Sequence, residues 1–246
     1  VIHYHGTPIT PRRKLLQLAG RCFCVSFAHP FDIEVCHEIG QSVMLDNGAF
    51  SLWRTGRPVD WDAYYAWCEQ WLAYRTTWAV IPDVIDGTVT QNEVLIDAWP
   101  FGVRGAPVWH LHEPISRLLR LAREWPRVCI GSSGQYSQVA SKGWHQRMAA
   151  AMDALCDDGP PPVWLHMLRG LRLAGSDYPF ASADSSNVAR NHAGCPTRGI
   201  ARRSPRAMAD AIDRRQCAAR WHTRPGPKTT RGSREHPARA REERAR

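Results

Sequence analysis

The chain has 246 residues, 43% of them hydrophobic, which is enough for the core of one large domain and too long to depend on disulfide staples. No apolar run approaches the roughly 18 residues of a membrane span, and the N-terminal "VIHYHGTPITPRRK" lacks the basic-then-apolar order of a secretory signal, so a cytoplasmic protein without a membrane partner is expected. The net charge of +9 is unevenly spread: residues 197–246 carry 15 Lys and Arg against 5 Asp and Glu, while residues 1–196 carry 17 against 18.

Short β-rich runs alternate with amphipathic helical patterns along the chain. The first strand, "VIHYHG" (1–6), precedes a helix at "PRRKLLQLAG" (11–20), and "RCFCVSFA" (21–28) precedes "FDIEVCHEIG" (31–40). Next come the strand "SVMLDNG" (42–48) with the helix "DWDAYYAWCEQWLAY" (60–74), and "TWAVIPDV" (77–84) with "TQNEVLIDAW" (90–99). The fifth pair is "PVWHLHE" (107–113) with "PISRLLRLAREW" (114–125), where Leu118, Leu119, Ala122 and Trp125 fall at helical spacing. "RVCIGSSG" (127–134) leads to "WHQRMAAAMDALCDDG" (144–159), and "VWLHMLRG" (163–170) to a short helical link over 168–177. The last strand, "FASAD" (180–184), precedes the helix "SPRAMADAIDRRQCAARW" (204–221). Eight β/α units predict a (β/α)8 barrel over residues 1–222. Residues 223–246 are too polar to offset their ordering entropy and are expected to form a disordered basic tail, suited either to a polyanion or to solubility alone. The eight cysteines, at 22, 24, 36, 68, 129, 156, 195 and 217, show no C-x-x-C spacing and read as reduced, mostly buried thiols.

A barrel of this kind carries its chemistry at the C-terminal ends of its strands. The polar residues there are His3 and His5, then Asp46, Asn47 and Gly48, then Asp83 and Asp86, then His110, His112 and Glu113. Gly131 to Gly134, His166 with Arg169, and finally Asp184 complete the series. Each has a conformational reading beside the chemical one: Asp46, Asp83 and Asp86 as turn residues, Asp184 as a helix N-cap, "GSSG" as a bare turn, and His166 as a core histidine.

The segments "LDNGAF" and "FASADSSNVARN" carry a family resemblance. The first resembles the Asp-Ser-Gly-Gly-Phe strand end of the queuine tRNA-guanine transglycosylases, and the second their nucleophile segment. "AVIPDVIDG", "VCIGSSG" and "WLHMLRGL" fall in the places of that family's base-recognising Asp strand, Gly-Gly loop and pre-nucleophile strand, so the resemblance spans residues 44–191. It implies Asp184 as nucleophile, Asp46 as general acid/base, and Asp83, with Asp86 as the fallback, as the acceptor for a guanine edge. Asn47, Gly48, Phe50, His110, His112, Gly131, Gly134, His166, Arg169, Arg190 and Asn191 are the implied substrate-binding set. Only Cys195 and Cys217 follow Asp184, without the family's C-x-C-x-x-C, so no structural zinc and no cofactor are expected. The run from Asp184 to Arg190 and Asn191 is also shorter than in the tRNA enzymes. The compact chain is more similar to relatives that insert 7-deazaguanine bases into phage or bacterial DNA. Its expected partners are therefore a nucleic acid, DNA ahead of tRNA, and a free modified purine, with room for a protein partner that supplies specificity.

The chemistry has independent grounds. Exchanging a base breaks a C–N glycosidic bond through an oxocarbenium-like state and holds the sugar until a second base arrives, a task for two carboxylates. Two other readings compete: a metal-dependent amidohydrolase-type barrel using His3, His5, His110 or His112 and Asp184, and a non-catalytic barrel that binds nucleic acid.

Overall fold

A computed structural model describes residues 1–194 and 201–223. Its strands are β1 (Ile2–Gly6), β2 (Cys22–Ser26), β3 (Ser42–Asp46), β4 (Thr77–Val80), β5 (Gly105–Ala106), β6 (Val108–His110), β7 (Arg127–Gly131), β8 (Trp164–Met167) and β9 (Ser182–Ser185). The helices are α1 (Arg12–Leu15), α2 (Ile33–Ile39), α3 (Ala49–Trp53), α4 (Trp61–Trp71), α5 (Val89–Asp97), α6 (Ile115–Glu124), α7 (Lys142–Cys156), α8 (Asn187–Asn191) and α9 (Pro205–Asp213). Among these residues no helix is long and apolar enough to cross a membrane. The expected basic tail lies, apart from Thr223, outside the described residues, as does Cys195.

All neighbouring strands pair in parallel, in the order β5-β4-β3-β2-β1-β9-β8-β7-β6. The strands at the two ends of that order, β5 and β6, are separated in the chain by Pro107 alone. The sheet therefore curls into a nearly closed barrel. Proline has no N–H to donate, which breaks the ladder at this residue. Its carbonyl still accepts from Cys129 N at 2.9 Å, while the preceding Ala106 carbonyl accepts from Ile81 N at 3.0 Å. The segment thus bonds to β4 on one side and to β7 on the other.

Two expectations from the sequence are corrected here. The fifth strand, expected over 107–113, is shorter and spans Val108–His110, and Gly105–Ala106 forms a further strand just before Pro107, so the described residues pair in a nine-stranded sheet. The helical link expected over 168–177 is a single 3-10 turn, Leu171–Leu173, because Gly170 and Gly175 flank a segment too short for an α-helix.

Strand periodicity separates the two layers of core. Phe23, Val25, Val43, Leu45, Ala79, Trp109, Val128, Ile130, Leu165, Met167 and Ala183 pack outward against the helices. Their alternates Tyr4, Cys24, Met44, Trp78, Val80, Ala106, Val108 and Cys129 fill the barrel interior. Both faces of each strand are buried, which is why the runs read as nearly continuous apolar stretches. The floor of the interior is aromatic. Trp78 Nε1–H donates to Tyr4 Oη at 3.0 Å, and the Arg127 guanidinium lies 4.2 Å from the Trp78 ring centroid and 5.3 Å from that of Trp164.

Local signals start the longer helices. The Asp60 side chain accepts from Ala63 N at α4, Ser141 caps α7 through Trp144 N, and Thr88 with Gln91 forms a reciprocal capping box at α5. Because Trp78 is 4% exposed and braces the floor, Trp78→Ala is expected to lower unfolding free energy by about 3–5 kcal/mol in urea titration. An unchanged midpoint would mean that the interior is not packed around this ring.

Candidate active site

Three carboxylates meet at the C-terminal ends of the strands. Asp46 ends β3, Asp184 lies near the end of β9, and Asp83 follows β4. They line one cavity of about 60 Å³ with Asn47, Phe50, Val80, Ile85, His110, Gly131, Ser132, Leu168 and Arg169. At a minimum of roughly 10–15 Å³ per water, that space holds about four to six waters at most.

Asp184 is held from beneath and from one side. Trp164 Nε1–H can only donate, so Ser182 Oγ accepts from it at 2.7 Å and turns its own proton to His166 Nδ1 at 2.8 Å. His166 Nε2–H is then left to donate to Asp184 Oδ1 at 3.3 Å. Burial lowers the pKa of His166 and keeps the ring neutral, which is the state this chain of bonds needs. Oδ1 also accepts from Arg169 N at 2.8 Å. Among the described residues nothing binds Oδ2, which leaves it available to the cavity.

Arg169 sits across the cavity mouth. Its backbone is left-handed at φ 57°, its guanidinium donates to the Ser132 carbonyl at 2.6 Å, and the guanidinium carbon lies 4.0 Å from the Phe50 ring centroid. A positive φ is uncommon for a residue with a Cβ, and here it aims the peptide N–H at Asp184.

Asp46 differs from the other two carboxylates. Desolvation raises its pKa to about 6, with Asp184 and Asp83 pushing the same way; the Ser26 hydroxyl, opposite it across β2 and β3, and the Gly48 N–H pull it back down. It is therefore poised to exchange a proton near neutrality. Asp83 is tied to its neighbours: Asn47 Nδ2–H donates to Oδ1 at 2.7 Å, and His110 Nε2 is bonded to Oδ2 at 2.9 Å. Asn47 also donates to the Ile81 carbonyl and accepts from Ala49 N, so one buried amide sets both the loop after β3 and the carboxylate after β4.

A second network, behind the cavity, joins Glu113 to Asn92 and Arg117, which the sequence did not single out. Buried Glu113 accepts from His110 N at 2.9 Å, Arg117 Nη1 at 2.7 Å and Asn92 Nδ2 at 3.2 Å. Asn92 in turn accepts from Val84 N at 2.8 Å, tying the loop that carries Asp83 to the one that carries His110. The four-residue step from Glu113 to Arg117 was the available signal. The apolar wall of Val80, Ile85 and Leu168 left none, because these residues read only as core.

Other expected residues lie outside the cavity lining. Asp86 is exposed in the turn after β4, and Ile85 takes the wall position. Gly48 (φ 75°) supplies the left-handed turn into α3, and Gly134 (φ 54°) a turn in open space. His112 stacks on His110, with centroids 5.6 Å apart, and bonds to Ser133 Oγ at 3.0 Å. Arg190 is exposed and Asn191 half-buried on α8. His166 is buried against Trp78 and Tyr4 of the aromatic floor and reaches the cavity through Asp184.

The His-x-His pair on which the competing metal-hydrolase reading depends faces the helix layer. In the β1–β9 register Tyr4 pairs with Asp184, whereas His3 pairs with Ala183 and His5 with Ser185, so the histidines and Asp184 occupy opposite faces of the sheet. His3 Nε2 bonds to Ser185 Oγ at 2.9 Å and His5 Nε2 to Asp213 Oδ1 at 3.0 Å. Burial, first among the causes, brings their pKa values down to about 3 and about 4. Among the described residues no three His, Cys, Asp or Glu side chains are grouped to hold a metal ion. Comparison with family models, with curated proteins and with solved structures finds no match for this chain.

The raised pKa of Asp46 has a sign that can be measured. The folded state binds its proton more tightly than the unfolded chain, so this residue's contribution to stability falls as pH rises from about 4 through about 6. The stability of Asp46→Asn relative to the parent should therefore grow across that window, by at most a few kcal/mol, and level off above about pH 7. A difference in urea-unfolding free energy that stays flat from pH 4 to 7 would refute the shift.

Proposed function

We propose that residues 105–110 form one barrel strand interrupted at Pro107, making this an eightfold (β/α)8 barrel, and that the protein is a guanine transglycosylase. In this reading it exchanges a guanine in a polynucleotide, DNA ahead of tRNA, for a free 7-deazaguanine-type base. The observation that carries the reading is the pairing of unlike carboxylates in one cavity. Asp184 has an oxygen free and its backbone side fixed, and Asp46 has a pKa of about 6. One carboxylate with a free oxygen to attack and one able to exchange a proton near neutrality are what a double displacement at an anomeric carbon requires.

The proposed reaction has two displacements. Asp184 Oδ2 attacks C1′ of the target nucleotide as the C–N bond breaks, and protonated Asp46 gives its proton to the departing guanine. The resulting ester holds the nucleotide. Asp46, now ionised, takes the proton from the incoming base, whose nitrogen attacks C1′ and releases Asp184. Asp83 keeps lone pairs beyond those engaged by Asn47 and His110 and can accept from the N1–H and exocyclic amine of the purine. Phe50 lines the cavity beside the Arg169 guanidinium, and Gly131 leaves room for the His110 ring that holds Asp83, since a Cβ there would lie 2.6 Å from His110 Nδ1. A duplex substrate has to extrude its target base to reach the cavity. The outward-facing His3 and His5 weigh against the metal hydrolase.

The test is incorporation of labelled guanine or a labelled 7-deazaguanine into DNA and, in parallel, into tRNA. Asp184→Asn is expected to lower turnover by about a thousandfold or more, and Asp46→Asn by about 10²–10⁴. A covalent protein–DNA adduct, detectable by mass spectrometry, should form with the parent and disappear in Asp184→Asn. His166→Phe removes one donor from Oδ1 and should lower kcat about tenfold with little change in KM. No label in either polymer would overturn the reading.

A further inference from the structure

We propose that the loop after β3 is a binding track for the single strand that flanks the exchanged base, with Trp53 as a stacking platform and Arg54 and Arg57 as phosphate contacts. This inference rests on the base-exchange reading and says where the polymer lies. It starts from an aromatic and cationic series that runs out of the cavity. The Arg169 guanidinium covers Phe50, both residues line the cavity, and the Phe50 ring is 5.8 Å from that of Trp53 at an interplanar angle of 30°. Trp53 is 50% exposed, an unusual position for a tryptophan in a chain whose Trp78, Trp99, Trp109, Trp144 and Trp221 are buried.

The charge beside it is uncompensated. Arg54 and Arg57 are exposed and, among the described residues, take part in no salt bridge and no side-chain hydrogen bond, while residues 49–59 contain no acid. The loop is also held in place. Arg54 N donates to the Phe50 carbonyl, Gly56 N to that of Trp53 and Arg57 N to that of Leu52, and Gly56 takes a left-handed φ of 65° to make the turn. The two guanidinium groups are therefore carried on backbone folded back against α3, next to an exposed indole. A base stacked on an aromatic face between flanking cations is the recurring solution for binding single strands without reading their sequence. The position matters too: the series begins at the cavity that would receive the base, so the neighbouring nucleotides of an extruded guanine have a surface to follow.

The experiment uses the full chain and a labelled single-stranded DNA of about 15 nucleotides with a central guanine, read by fluorescence anisotropy over a range of salt concentrations. Trp53→Ala is expected to raise Kd about tenfold and Trp53→Phe to keep most of the affinity, because the ring is what stacks. Arg54→Ala with Arg57→Ala should reduce the slope of log affinity against log salt by about 1.4, two phosphates at about 0.7 each. Tyr74→Ala with Arg75→Ala, an exposed aromatic and cation at the opposite end of the barrel, should leave both quantities unchanged. All these side chains are substantially exposed, and thermal melts matching the parent will confirm folding. Parental affinity and slope in the Trp53 and arginine variants, or an equal loss in the Tyr74 control, would overturn the track. The two proposals fail separately. Rim-dependent binding without base exchange sinks the transglycosylase reading and leaves the track, whereas base exchange with an unchanged KM for the polymer in Trp53→Ala sinks the track alone.

Discussion

Three carboxylates gathered at one mouth of a nearly closed sheet repel one another, and much of the polar architecture around the cavity answers that repulsion. Desolvation and like charge both disfavour ionisation, so each carboxylate needs donors or must keep its proton. Asp83 is bonded by Asn47 and His110, and Asp184 by the Arg169 N–H and His166. Asp46 accepts from the Gly48 N–H, and burial, with its neighbours' charge, raises its pKa to about 6. Unequal support turns three identical side chains into groups with different chemistry.

The supports are themselves products of strand register. In a closed parallel sheet, residues paired across strands point to the same side, so His166, Ser182 and Asp184 share the interior with Tyr4 and Trp78. The chain of bonds from Trp164 through Ser182 and His166 to Asp184 works because Trp164 can only donate, which fixes the direction of each later proton. Below it, the Arg127 guanidinium packs on Trp78 and Trp164, so the aromatic floor and the polar roof share residues. Lumen cysteines add nothing reactive: burial pushes the Cys24 and Cys129 thiols well above the ordinary thiol range.

Loops supply the second tier. The Asn92–Glu113–Arg117 cluster joins the segments that present Asp83 and His110, and it is buried, so its bonds fix geometry rather than contact a ligand. Next to it on the mouth, the loop after β3 is exposed and bears cations with no partner among the described residues. A buried, mutually bonded network thus adjoins an open, uncompensated surface at the same cavity.

Much of the fold was readable from local pattern, because burial on both faces of a strand and on one face of a helix leaves a period in the residues themselves. The alternation of apolar runs with helical stripes gave eight of the nine strand positions, and turn-prone polar residues after those strands pointed to Asp46, Asp83 and Asp184. Pattern failed where the determinant was not periodic: the two-residue strand Gly105–Ala106 lies before the proline where a strand was expected to begin, and Gly170 and Gly175 reduce an expected helix to one turn. What the sequence by itself determined was which segments are strands and which end of each carries polar groups. Only the tertiary structure decided which of those groups meet. His3, His5 and Asp184 all read as strand-end ligands, yet a one-residue difference in strand phase sends the histidines to the helices and the carboxylate to the cavity, and that phase is set by closure of the whole sheet.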